Sequence, residues 1–144
     1  MIYCDTAYLL KYYVDELGSP EVRSLIDEQI GVGSLSLGRL ELAAAFHRKL
    51  REAQIDRAAY KSVIAQFEKD QASGIWTWFD STQILIEKAS KKFAALSSKT
   101  FLRASDALHL ICAKEHGFRE IYSNDKHLLA AAKHFGLKGR NVIK

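Results

Sequence analysis

The chain has 144 residues, 48% of them hydrophobic and one of them proline, which argues against a disordered chain and leaves enough apolar material for a sizeable core. Lysine and arginine number 21 against 17 acids, a net charge of +4 that is compatible with a polyanionic partner but does not demand one. No apolar run approaches the roughly 20 residues of a membrane helix, and the opening M-I-Y-C-D-T-A lacks the basic and apolar regions of a secretory signal, so a cytoplasmic, non-membrane protein of one domain spanning residues 1–144 is expected.

Ile2-Tyr3-Cys4 reads as a short strand ending at Asp5, and Thr6 to Val14 as a helix with Leu9, Leu10 and Tyr13 on one side. Ser19-Pro20-Glu21 has the pattern of a helix start, with serine as cap and proline in the first turn. Val22, Leu25 and Ile26 form the buried face of that helix, and Gly31 closes it. Val32 to Leu35 is a second strand, weakened by Gly33. A helix is expected from about Arg39 to Glu52, carried by Leu42, Phe46 and Leu50. Asp56 can cap the next, in which Tyr60, Val63, Ile64 and Phe67 keep helical spacing up to Gly74. Ile75 to Phe79 is almost wholly apolar, as in a strand buried on both faces. Trp76 and Trp78 are assigned to the core there rather than to a base-stacking platform. Asp80 to Gln83 resembles a capping box, with Asp80 as cap, before a helix carried by Ile86, Ala89, Phe93 and Leu96.

The stretch from Arg103 to Leu137 organises the rest. Ala104, Ala107, Leu108, Ile111 and Cys112 form one apolar helical stripe, ended by Gly117. Glu120 to Ser123 is a strand candidate, and Leu128, Ala132 and Phe135 begin another stripe that stops at Gly136. Asn141-Val142-Ile143 is a candidate edge strand. Strands alternating with helices predict an α/β fold with a mainly parallel sheet covered on both faces.

Cys4 and Cys112 lie on apolar segments and read as core residues, not as a disulfide or metal pair. The pairs His109/His116 and His127/His134 lack the i, i+4 spacing of a zinc helix and are assigned solvent-facing or helix-end roles. No P-loop, G-x-G-x-x-G or G-x-S-x-G occurs. Asp5-Thr6-Ala7 also lacks the second aspartate of a phosphoaspartate phosphatase.

Four acids remain: Asp5, Glu41, Asp106 and Asp125, each at or near a predicted helix start. Singly, each is explained as a cap or as a partner of the helix dipole. Together, two acids at strand ends and two on helices entering the same edge would form a rim of carboxylates whose mutual repulsion calls for a cation. Oxygen ligands without histidine or thiolate select Mg²⁺ or Mn²⁺, an ion suited to phosphodiester hydrolysis. The basic residues tied by position to the acids, Arg103 and Lys126, are candidates for contacting a phosphate backbone. The competing reading is a catalytically silent module whose acids only cap helices and whose basic surface binds nucleic acid.

The segments I-Y-C-D-T-A, S-L-S-L-G-R-L-E-L-A, R-A-S-D-A-L-H-L-I-C-A and Y-S-N-D-K-H-L-L-A-A-A, in that order, resemble the PIN-domain ribonucleases, and among them the VapC-type toxins of toxin–antitoxin pairs. The resemblance implies a three-layer α/β/α fold and Mg²⁺- or Mn²⁺-dependent endoribonuclease activity at Asp5, Glu41, Asp106 and Asp125. By the same resemblance, Asp5 and Asp106 touch the metal directly, Glu41 and Asp125 act directly or through water, and Thr6 and Ser123 support them. It also implies inhibition by a small antitoxin and a homodimer, and it makes RNA the backbone that Arg103 and Lys126 would contact. A PIN-type nuclease of RNA processing, without an antitoxin, is the nearest alternative.

Overall fold

The computed structural model describes residues 1–144. Five strands, β1 (Ile2–Tyr3), β2 (Val32–Leu35), β3 (Trp76–Phe79), β4 (Glu120–Tyr122) and β5 (Lys138–Arg140), run parallel. Their order is β3-β2-β1 on one side and β4-β5 on the other, and the two sets are joined by a parallel bridge between Cys4 and Tyr122. The Asp5 N–H donates to the Tyr122 carbonyl at 3.1 Å across this junction. The chain therefore builds outward from β1 to β3, then returns to the other side of β1 for β4 and β5. Strand order reverses beside Asp5.

The period-two alternation of strand side chains sorts the core into two layers. Tyr3, Leu35 and Ile121 pack with α5 (Gln83–Ala95), α6 (Ala104–Glu115) and α7 (Lys126–Ala131). Cys4, Val32 and Trp76 pack on the other side with α1 (Thr6–Tyr13), α2 (Ser19–Asp27), α3 (Leu37–Arg51) and α4 (Arg57–Ser73). The result is the expected three-layer α/β/α arrangement on a parallel sheet. Trp76 is buried against Tyr12 and Tyr13, Trp78 packs against the same layer, and both cysteines are buried and free.

Several local expectations change. Ser19 lies inside α2 and does not cap it; Gly18, at φ +87°, takes the cap position that a side chain would strain. The Ser19 hydroxyl instead ties the preceding turn, donating to the Val14 carbonyl and accepting from the Glu16 N–H. That helix ends at Asp27, before Gly31, and α3 begins at Leu37, ahead of Arg39. Asp80 caps nothing: the Thr82 hydroxyl accepts from the Leu85 N–H at 3.2 Å and starts α5. The last strand is Lys138–Arg140, whereas Asn141 and Val142 fold over Tyr8, whose hydroxyl donates to Asn141 Oδ1 and accepts from the Val142 N–H.

Gly33 is a packing requirement of β2, not a defect. A Cβ there would stand 2.7 Å from Cε2 of Phe79 and 3.1 Å from Cζ of Phe118. Those rings stack on and edge against Tyr3, so they have little room to withdraw. Gly33→Ala should lower the unfolding free energy by about 1–3 kcal/mol, measured by urea denaturation. Gly31→Ala, whose Cβ meets nothing nearer than 3.4 Å, should change it little.

Candidate active site

Parallel α/β sheets bind ligands beyond the carboxyl ends of their strands, where the strand order reverses. At that place lies a cleft of about 140 Å³ lined by Asp5, Thr6, Glu41, Arg103, Ser105, Asp106, His109 and Asp125. The four acids singled out in the sequence therefore line one cleft, delivered by four different parts of the chain.

Asp5 follows β1 and is 5% exposed. Its Oδ1 accepts from the Tyr8 N–H at 3.1 Å and so caps α1, while Oδ2 accepts from the Ser123 hydroxyl. Ser123 is fully buried just past β4, and its oxygen also accepts from the Asp125 N–H at 2.9 Å. One hydroxyl thus fixes the spacing of the two strand-end acids. Asp125 caps α7 through Oδ1, which accepts from the N–H groups of His127 and Leu128 at 2.8 and 3.0 Å. Its Oδ2 is turned to the cleft and takes a guanidinium N–H of Arg103 at 2.6 Å.

Glu41 comes from α3. The first turn of that helix approaches the start of α1 closely because residue 38 is glycine: a Cβ there would lie 3.3 Å from Thr6 Oγ1. Thr6 then donates to Glu41 Oε1 at 3.0 Å. Leu42 and Phe46, fully buried, hold the other side of the helix. Asp106, 8% exposed in the first turn of α6, accepts from Arg103 Nε at 2.9 Å.

Arg103 and His109 are the basic residues that meet these acids. Arg103, a candidate for RNA contact, spends its guanidinium on Asp106 and Asp125. His109, assigned above to a solvent-facing or helix-end role, is 2% exposed and lies 3.0 Å from Glu41 Oε1 through Nε2. The signal for it was in the sequence: Asp106 and His109 are i, i+3 and must share a helix face. The apolar stripe obscured it, because α6 is buried around most of its circumference, not along one stripe.

Burial, more than repulsion among the acids, sets the electrostatics of Asp5. Desolvation raises its carboxyl from 3.8 to about 6 against the lowering effects of Ser123, His109 and Tyr8, and Asp106 is the smallest contributor. Glu41 is also pushed up by burial, but the hydrogen bond and charge of His109, with Thr6 and Arg103, outweigh this and hold it below the ordinary range.

The donors are hard oxygens, which fit Mg²⁺ or Mn²⁺ in kind. As placed, no three carboxylate, imidazole or thiolate side chains stand close enough to hold one ion, and Arg103 occupies an oxygen on each of two acids.

Asp5 yields a pH prediction. Its folded pKa lies above the unfolded value, so the neutral form favours the fold; that contribution is complete below about pH 4 and is lost as pH rises through about 6. In metal-free protein, Asp5→Asn should match wild type near pH 4 and exceed it by on the order of 3 kcal/mol at pH 8, at about 1.4 kcal/mol per pH unit. Denaturant titrations across this range in chelator give the difference directly.

Residues 2–134 match the PIN domain family. No curated protein matches the chain in sequence. Among solved structures, the chain is similar to VapC20 of Mycobacterium tuberculosis, described as a sarcin-ricin loop cleaving toxin, with a TM-score of 0.69 at 16% identity over 91% of this chain and 95% of that one. At that identity the likeness concerns the fold. The family match covers nearly the whole chain, and the protein belongs to the PIN domain family.

Proposed function

We propose that this protein is a Mg²⁺- or Mn²⁺-dependent endoribonuclease acting as the toxin of a toxin–antitoxin pair. The observation that carries the reading is the convergence of Asp5, Glu41, Asp106 and Asp125 on one cleft at the strand-order reversal. Membership of a nuclease family supports phosphodiester hydrolysis. The motif resemblance to VapC-type toxins and the fold shared with VapC20 support RNA as substrate and a small antitoxin as inhibitor.

In this reading Asp5 and Asp106 would hold the ion directly, and Glu41 and Asp125 would do so directly or through water. An ion there supplies positive charge against the charge developing on the phosphoryl oxygens and makes an attacking water more acidic. The protein's own groups set the frame. Ser123 keeps Asp5 and Asp125 in register, and Thr6 keeps Glu41 beside Asp5. Arg103 neutralises Asp106 and Asp125 and is itself exposed, where its guanidinium would be available to a phosphate.

Lys126 is exposed directly after Asp125, which supports its expected contact with the RNA backbone. An apolar groove of about 380 Å³ between α5 and α6, lined by Leu37, Ile86, Phe93 and Leu108, supports a protein contact such as the expected homodimer. No helix is long and apolar enough to cross a membrane; the toxin reading itself implies a cytoplasmic site of action.

Asp106→Asn keeps the shape of the side chain and removes its formal charge. It should cut Mn²⁺-dependent RNA cleavage by roughly 100-fold or more, abolish growth arrest on expression, and blunt the rise in melting temperature that Mn²⁺ gives the wild type. Equal turnover by the variant at saturating Mn²⁺ would remove Asp106 from the site. Lys126→Ala should leave that thermal shift intact while reducing the slope of log affinity for single-stranded RNA against log salt by about 0.7, read from binding titrations at several salt concentrations.

A further inference from the structure

His109 has no part in the four-acid pattern, yet it is the most deeply buried basic group at the cleft. It sits on α6 one turn after Asp106, with 2% exposure. Nε2 lies 3.0 Å from Glu41 Oε1 and 3.4 Å from Thr6 Oγ1, while Nδ1 lies 3.0 Å from the hydroxyl of Tyr3. Tyr3 is itself fully buried in β1. Its ring meets the imidazole edge-on at 6.0 Å and packs against Phe79 and Phe118.

The chemistry of these partners fixes the proton positions. An ionised carboxylate only accepts hydrogen bonds, so the ring nitrogen facing Glu41 must carry hydrogen. In the neutral ring Nδ1 is then an acceptor and takes the Tyr3 O–H. The opposite tautomer would set an imidazole lone pair against a carboxylate oxygen. Of the two neutral tautomers, Tyr3 therefore supports the one that donates to Glu41, and it does so from the buried centre of the sheet.

The consequence falls on Glu41. Its Oε1 accepts from both His109 and Thr6, whereas Oε2 makes no hydrogen bond within the chain. A glutamate on a partly exposed helix face has three side-chain torsions to order before it can bind anything. Here two donors order them in advance and leave one oxygen for a ligand.

We propose that Tyr3 and His109 form a positioning pair that fixes the Glu41 carboxylate through Oε1 and leaves Oε2 free for a ligand, so that His109 would govern cation affinity through Glu41 without touching the cation. This rests on the metal-dependent nuclease reading above. Partners that orient a ligating side chain typically change metal affinity by about 10–100-fold when removed.

The test compares His109→Asn with His109→Gln. Both bury an amide, but only glutamine is long enough to bring its N–H near the place of Nε2. The readout is the Mn²⁺ concentration giving half of the maximal rise in melting temperature, with RNA cleavage in parallel and the metal-free melt as control for folding. His109→Asn should raise that concentration by about 10–100-fold, and His109→Gln should restore most of the loss. In a Glu41→Gln background, His109→Asn should add nothing further. An unchanged midpoint in folded His109→Asn, or an equal loss in the Glu41→Gln background, overturns the proposal and leaves the nuclease reading intact. A wild type with no Mn²⁺ shift and no cleavage overturns that reading, and this inference with it. Should His109→Asn fail to melt cooperatively, Tyr3→Phe decides: a rise of a few-fold in the Mn²⁺ midpoint supports the pair, and none refutes it.

Discussion

The carboxylate of Asp5 is the point on which the two halves of the sheet meet. β1 is only Ile2–Tyr3, and it is joined to β4 through one bridge and the Asp5 N–H, so side-chain contacts must complete the junction. Asp5 does this with both oxygens, capping α1 with one and taking the Ser123 hydroxyl with the other. Ser123 in turn positions Asp125. Removing an acid from water at the centre of a sheet is unfavourable, and the raised pKa of Asp5 records it. The fold tolerates this because each Asp5 oxygen has a donor.

The same division of labour runs through the other acids. Asp125 caps a helix with Oδ1 and turns Oδ2 to the cleft. Glu41 binds Thr6 and His109 through Oε1 and leaves Oε2 without a partner. For Asp125, capping and ligand binding are therefore compatible, since a carboxylate has two oxygens and can serve each role with one, whereas both oxygens of Asp5 already have donors within the chain. The repulsion that four clustered acids imply is offset within the chain by Arg103, while His109 gives Glu41 a hydrogen-bond partner.

Helix α6 is the element through which the layers communicate. Ala107, Leu110, Cys112 and Ala113 are fully buried and bring the helix close to the sheet. That approach carries Asp106 to the cleft and lets His109 reach β1 and α3 at once. A polar group inside such a helix must find partners, and His109 finds them in Tyr3, Thr6 and Glu41.

The sequence by itself determined the alternation of strands and helices, the glycine stops at Gly74, Gly117 and Gly136, and the helix starts at Asp5, Asp106 and Asp125, because periodicity, left-handed glycine and first-turn acids are local effects. The motif order carried the family. Only the tertiary structure decided that Thr82, not Asp80, caps α5, that Gly33 is required by the rings of Phe79 and Phe118, and that the final strand is Lys138–Arg140. It also decided that Arg103 bridges Asp106 and Asp125 and that His109 is buried between Tyr3 and Glu41. These depend on groups up to 106 residues apart meeting where the sheet reverses its order. No local spacing encodes such a meeting, because it exists only once the strands have paired.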